Sequence, residues 1–333
     1  MVVSFVISLG LTPLSRQIAM RLGVVDRPTS ARKANAEYKP LMGGLAMYAA
    51  FSVVLVLFAP QPHYRELMSI VAGATVLAAV GLYDDRFEIG LRSKLIAMVV
   101  VALGLVLAGI QIRLFRVVWI DVPLTVIWLV AIMNAVNFLD NMDGLAAGLT
   151  TIAAFFFMVI AFFNGQILVS SLAAAIFGSS LGFLVYNFNP ASTFMGDMGA
   201  LVLGLVLAVL GIKLTFQVQP ISVTWMIPIL VLALPVFDIN LVVFTRIREG
   251  RSPGEAGKDH TSHRLRSMGF PPRVVLLILY MFCVLLGTIG FLMSQTPPEI
   301  AGRLGALGIG VMIVCFVGMM WVRRRYQNNG KGQ

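Results

Sequence analysis

The sequence predicts an all-α, polytopic integral membrane protein of about eleven transmembrane helices. Two features of composition and one of pattern carry that prediction. Hydrophobic residues make up 59% of the 333 and charged residues only 12%, whereas an ordinary soluble domain carries about twice that charged share. Mean hydropathy is +0.90. The apolar residues come in unbroken runs near the ~20 residues that a helix needs to cross a bilayer, not in the alternation of barrel strands.

The runs fall at 1–19, 42–60, 66–83, 95–111, 117–136, 146–163, 167–186, 199–217, 222–244, 273–294 and 301–322. The first has no basic segment before it and positive charge after it, so it is expected to stay as a span and not to be cleaved as a signal peptide. Short connectors such as QPHYRE, NGQ and SQTPPE join alternate pairs of runs. The other junctions are richer: GLYDDRFEIGLRSK, NFLDNMDGLAAG, YNFNPASTFMGDMG and the long TRIREGRSPGEAGKDHTSHRLRSMGFPPR. The ninth run carries Asp238 about two turns inside it, where an intramembrane acid is either functional or a helix-packing partner. Cys283 and Cys315 sit in the last two runs and are expected to be small buried thiols. A basic tail, 323–333, closes what reads as a single membrane-embedded domain.

Orientation follows from Lys and Arg. With the N-terminus outside and the C-terminus in the cytosol, twenty of the twenty-five cations fall on inner loops, leaving only Arg65, Arg113, Arg116, Lys213 and Arg303 outside. The formal charge of +10 is then mostly this bias, and no nucleic-acid partner is expected. On the same reading, Asp84, Asp85, Asp140, Asp143 and Asp197, with His260 and His263, gather on the cytosolic face. Acids are favoured at helix N-termini by about 0.3–1 kcal/mol, which would explain one such loop. Three on one face, close to hydrocarbon where a carboxylate costs about 2.5–3.5 kcal/mol at a helix centre, point to function.

Adjacent Asp84 and Asp85 point in different directions on any regular backbone and are expected to have different tasks. Asn137, Asp140 and Asp143 are spaced to share one helix face, with Gly144 and Gly148 leaving room for a close neighbour or ligand. Asp197, flanked by Gly196 and Gly199 ahead of an apolar helix, suits a hard cation such as Mg²⁺, which takes one or two carboxylates plus water and phosphate oxygens. His260 and His263 among Lys258, Arg264 and Arg266 suit an anion clamp. Acidic ligands and basic phosphate donors together are the parts of phosphoryl transfer. A transporter would place its acids near the midplane and often show internal repeats, and neither is seen.

Taken in order, these motifs resemble the polyprenyl-phosphate N-acetylhexosamine-1-phosphate transferase family. NAVNFLDNMDGLAAG is similar to the family's N-x-x-N-x-x-D-G-x-D-G-L, with Asn141 where glycine is usual. STFMGDMGALVLG is similar to F-x-G-D-x-G-S, with Ala200 in place of serine. DHTSHRL is similar to H-x-H-H-R, with Ser262 in place of a histidine. RPTSARKANAEYKPLMGGLAMY resembles the first cytosolic loop. The resemblance implies transfer of an N-acetylhexosamine-1-phosphate from a UDP-N-acetylhexosamine to a polyprenyl phosphate lipid, with release of UMP. Mg²⁺ or Mn²⁺ is the implied cofactor, and the inner or plasma membrane the implied location. It implies Asp197 and Asn137 as metal ligands and Asp143 as a uridine-side contact. His260, His263 and Arg264 become the diphosphate clamp, and Asp84 or Asp85 handles the lipid phosphate, with Lys94 as the cation of that motif. Asp140 is expected to orient Asn137 or Lys94, and Gly144, Asn187, Arg266 and Lys33 to contact substrate. A homodimer is a further expectation of the resemblance. The pentapeptide-transferring members usually carry a histidine run followed by an acid, which HTSHRL lacks.

Overall fold

The structure is a computed structural model that describes residues 1–26, 38–58, 63–216, 220–255 and 257–327. In chain order the helices are α1 (Val2–Leu22), α2 (Gly43–Phe58), α3 (Tyr64–Phe87), α4 (Leu91–Leu107), α5 (Val118–Leu139), α6 (Leu145–Phe163) and α7 (Ile167–Asn187). They continue with α8 (Gly196–Lys213), α9 (Ile221–Thr224), α10 (Met226–Val231), α11 (Ala233–Arg248), α12 (Thr261–Ser267), α13 (Pro272–Gln295) and α14 (Pro298–Val322). A small antiparallel ladder, β1 (Val25–Asp26) and β2 (Lys39–Pro40), follows α1. Among the described residues, eight helices are long and apolar enough to cross a membrane: α1, α3, α5, α6, α7, α8, α13 and α14. The stretches 221–231 and 233–248 together make a ninth, bent by 82°. The 16-residue α2 and 17-residue α4 are shorter apolar helices in the same bundle. The chain is therefore an all-α, multi-pass membrane protein.

The helix α8 is apolar on every side and is the axis of the bundle, buried from Met198 to Gly211 against α2, α3, α5, α6 and α7. Lipid is as apolar as leucine, so helices here associate by close packing, which small residues allow. A Cβ on Gly44 would run into the backbone of Gly199, and one on Gly81 into the backbone of Asp197 and Met198. Both α2 and α3 thus meet the start of α8 at backbone contact. On the far side α1 presents a buried stripe of Ser4, Ser8, Thr12, Ser15 and Ala19 to α7. There Gly178 and Gly182 leave no space for a side chain. Ser4, Thr12 and Ser15 donate to carbonyls of their own helix, and Ser8 donates to Ser179 O at 2.7 Å.

The structure departs from the sequence reading in three places. Helix α3 runs on through Asp84 and Asp85 to a left-handed Glu88, and α4 starts at Leu91, so Asp84, Asp85, Arg92 and Lys94 sit on helices and not in a loop. The run 222–244 is not one straight helix: it breaks at Leu232, between Pro228 and Pro235, each of which removes a backbone donor. Finally, Cys283 is buried as expected, but Cys315 is partly exposed on the peripheral α14. At the end of the bundle away from Asp197 the polar residues serve structure. Asp121 accepts from Phe115 N (3.0 Å), Thr125 from Ile112 N (2.9 Å), and Lys213 pairs with Glu66 (2.7 Å).

Candidate active site

Helix geometry turns successive residues by about 100°, which sends Asp84 and Asp85 to different partners. Lys94 Nζ, on the first turn of α4, donates to Asp84 Oδ2 at 2.7 Å and to Asp197 Oδ2 at 2.6 Å. Asn137 Nδ2, near the end of α5, donates to Asp197 Oδ1 at 2.8 Å. The ends of α3 and α5 and the starts of α4 and α8 therefore meet on one carboxylate. Asp85 instead accepts from the backbone N–H groups of Asp197 (2.8 Å) and Met198 (3.4 Å). It caps α8 from a neighbouring helix, satisfying donors that a helix start leaves open and complementing its dipole. Gly196, at φ 67°, makes this approach feasible, because a Cβ there would strike the Asp85 carboxylate and Leu41 O.

The turn after α5 is held from several sides. Asp143 Oδ2 accepts from Asn189 Nδ2 (3.1 Å) and Ala191 N (2.9 Å), with Lys39 Nζ at 3.8 Å. Lys39 also lies over the Phe194 ring, 4.9 Å from its centre. Gly144, at φ 79°, donates its N–H to Asn187 Oδ1 at 3.0 Å and accepts from the Tyr280 hydroxyl. The neighbour that Gly148 makes room for is the same Tyr280 ring. Asn187 is 1% exposed and passes its amide to Thr193 O, so it stitches the turn together and does not face a substrate, contrary to expectation. Lys33 lies outside the described residues.

Among the described residues no side chain hydrogen-bonds the Asp140 carboxylate; the expected links to Asn137 and Lys94 are not made, since both serve Asp197. Burial, then the charges of Asp197, Asp85 and Asp143, push its carboxyl well above the ordinary 3.8. The folded chain thus retains a proton that the unfolded chain gives up, so stability declines as pH rises above about 4 and through the folded value. In EDTA, the thermal midpoint of the wild type is expected to fall as pH rises above about 4, and Asp140→Asn to flatten that slope. Thermal scans with equal slopes for both proteins would refute the assignment.

The histidine segment packs beside this turn. Asp238 Oδ2 is 2.7 Å from His260 Nδ1, and its Oδ1 accepts from Thr261 N and Oγ1, both at 2.7 Å. The bend before α11 thus brings the intramembrane acid to the site's edge. His260 lies 5.8 Å from the Phe138 ring and 5.9 Å from the His263 ring. Ser262 Oγ donates to Asn141 Oδ1 at 2.7 Å. His263 Nδ1 is buried without a partner among the described residues. Burial, with His260 and Lys258 near, pulls its pKa below 6.5 and leaves it neutral at pH 7.

Arg264 departs from the clamp reading. It is 0% exposed, and donates to Asp259 O (2.9 Å), Met319 O (2.8 Å) and Thr245 Oγ1 (2.7 Å). Its guanidinium ties α12 to α11 and α14 and presents no face to a phosphate. Arg266 is exposed, and with Arg251, Lys258, His263 and Arg323, and the acids Glu255 and Asp259, it lines a net-basic cleft of about 990 Å³. Sequence reasoning missed Lys39, Asn189 and Tyr280; only the paired glycines 144 and 148 signalled the last.

As for a metal, the carboxylates of Asp84 and Asp197 already converge on one cation, the Lys94 ammonium. Among the described residues no three of His, Cys, Asp and Glu are grouped tightly enough to enclose an ion unaided. An all-oxygen set of Asp84, Asp197 and the Asn137 carbonyl suits a hard divalent ion that completes its shell with water and phosphate oxygens.

The model of glycosyl transferase family 4 matches residues 67–215, which include every acid of the Asp84–Asp197 cluster but not the histidine segment. The chain is 35% identical over 309 residues to a Bacillus subtilis (strain 168) protein named as a probable undecaprenyl-phosphate N-acetylglucosaminyl 1-phosphate transferase, covering 88% of this chain and 83% of that one. It is 29% identical over 353 residues to a decaprenyl-phosphate N-acetylglucosaminephosphotransferase of Mycolicibacterium smegmatis (strain ATCC 700084 / mc(2)155), covering 93% and 84%. A Yersinia pestis undecaprenyl-phosphate alpha-N-acetylglucosaminyl 1-phosphate transferase is 25% identical over 307 residues, covering 86% and 81%.

Proposed function

Because the chain belongs to glycosyl transferase family 4, we propose that it transfers N-acetylglucosamine-1-phosphate from its UDP-sugar to a polyprenyl phosphate, as the first membrane step of a cell-envelope glycopolymer. Undecaprenyl phosphate is the proposed acceptor, in keeping with the name of the Bacillus relative. An oxygen of the lipid phosphate forms a bond to the sugar-bearing β-phosphorus, the bond from that phosphorus to the bridging oxygen breaks, and UMP leaves with the electron pair. The reading includes eleven crossings, an outside N-terminus and a site open to the cytosol. The short, plain connectors on one side, such as QPHYRE, NGQ and SQTPPE, and the charge-rich junctions on the other support that arrangement.

The observation that carries the reading is the convergence of Asp84, Lys94, Asn137 and Asp197 on one point. A phosphate monoester has a second pKa near about 6, so the lipid nucleophile is largely dianionic at neutral pH and needs positioning more than a base. Lys94 is placed to meet that dianion, and Asp84 to hold Lys94. Asp197, Asn137 and Asp84 would hold Mg²⁺, which when bound neutralises diphosphate charge and polarises phosphoryl oxygens. Arg266, Lys258 and neutral His263 offer donors to phosphate oxygens from their own cleft. Asp143, Asn189 and Lys39 form the rim of the turn, where a nucleoside would be gripped.

The test is UMP release by the purified protein from UDP-N-acetylglucosamine, with and without polyprenyl phosphate and Mg²⁺. Release that requires both is the expected result. If no UDP-N-acetylhexosamine gives lipid-dependent UMP, the transferase reading fails. Turnover only with the muramoyl-pentapeptide nucleotide would reassign the donor.

A further inference from the structure

The chain departs from the family's motif pattern at Asn141 and Ser262, 121 residues apart, and these two side chains bond to each other at 2.7 Å. The other described hydrogen bonds of α12 and His260 stay within the segment or run to α11 and α14, through Asp238, Thr245 and Met319. Among the described residues, Ser262–Asn141 is the one hydrogen bond that joins the histidine helix to the acidic turn. Ser262 is 2% exposed, and Asn141 Nδ2 is itself anchored on Phe138 O at 2.6 Å. Phe138 is also the ring against His260 and the neighbour of Asn137.

We propose that Asn141 and Ser262 are a coupled positioning pair, which sets the spacing between His260–His263 and the Asp140–Asp143 turn. The proposal rests on the transferase reading for its activity arm only. A glycine at 141 would offer no side-chain acceptor, and a histidine at 262 would bring a larger donor able to reach the turn without one. Each residue therefore compensates for the other, and neither needs to touch substrate. The pair also replaces a titratable group by an uncharged one at this seam.

The experiment compares Asn141→Gly, Ser262→Ala, Ser262→Thr and Ser262→His, and the double variant Asn141→Gly/Ser262→His, in the purified full-length protein. Misplacement of reacting groups by an ångström costs up to about 100-fold. The single changes to Gly, Ala and His are expected to lower kcat by about 10-fold or more, with KM for the UDP-sugar and the thermal midpoint little changed. Ser262→Thr, which keeps the hydroxyl, should retain activity. The double variant should recover most of the loss, a non-additivity reserved for interacting residues, and gain a dependence on pH near the histidine range. Singles with normal kcat, or losses that simply multiply in the double variant, would overturn the pair. A second readout does not need turnover: the chain has three histidines, and ¹³C-labelled imidazoles report each one. Asn141→Gly and Ser262→Ala should move the same two signals, His260 and His263, and leave His63 in place. Unmoved signals would sink the proposal even if the wild type showed no transferase activity, and moved signals would sustain it.

Discussion

Asp197→Asn is expected to reduce lipid-dependent UMP release by about 10³-fold or more while the protein still inserts and remains folded. The reason lies in the direction of its hydrogen bonds. Both carboxylate oxygens accept, one from Lys94 and one from Asn137. An amide at this position must turn an N–H toward one of those donors, and it removes the charge that holds the ammonium midway to Asp84. The same change withdraws the strongest oxygen donor from any divalent ion. Helix α8 itself is fixed by apolar burial and by Asp85 on its backbone, neither of which the substitution touches. Activity, Mg²⁺ dependence and thermal midpoint measured on one preparation decide the matter. Near-normal turnover at ordinary Mg²⁺ would remove Asp197 from the site.

Asp259→Ala is expected to cost about 3–5 kcal/mol of stability, the range for breaking one side of a buried ion network. Asp259 is 3% exposed and accepts from Arg323 (2.6 Å), Arg251 (2.8 Å) and Arg246 (3.0 Å). Without it Arg246, 2% exposed, keeps only Pro253 O as a hydrogen-bond partner among the described residues, while Arg323 falls back on Glu249 and Gln327. Burial alone would push the Asp259 carboxyl up, but the guanidiniums of Arg251, Arg246 and Arg323 outweigh it and hold the group below its ordinary 3.8. A depressed carboxylate stabilises the fold above its unfolded pKa and loses that contribution as pH falls through the folded one. The acid limb of wild-type stability, below about pH 4, should therefore shrink in Asp259→Ala, whereas the decline above pH 4 assigned to Asp140 should persist. Thermal unfolding in detergent across that range is the measurement. A loss under 1 kcal/mol would show that the three arginines do not depend on this acid.

Hydropathy marks where the apolar residues stop, not where helical hydrogen bonding stops. The class of fold was therefore legible, while the true ends of α3 and α4, and the break at Leu232, were not. The acids of the site were readable because a carboxylate at a membrane edge demands a reason. Their pairing was not, since Lys94 bridges acids 10 and 103 residues away and nothing local distinguishes Asp84 from Asp85. Arg264 misled for the opposite reason. Its basic neighbours suggest an anion clamp, yet its partners, Met319 O and Thr245 Oγ1, are 55 residues ahead and 19 behind, and decide its burial. Asp238, left open between function and packing, proved to be the residue that holds His260.

The hydroxyl stripe of α1 bears on the order of assembly in time. Its partner α7 begins about 150 residues later in the chain, ~7–30 s of synthesis at 5–20 residues per second. Through that interval α1 must wait in lipid, where an unsatisfied polar group costs several kcal/mol. Ser4, Thr12 and Ser15 need no partner to wait, because each already bonds within its own helix. Ser8 is the exception, held to Ser179 O in the finished bundle, so the arrival of α7 closes this bond, and α1, made well before its partner, is locked against it late.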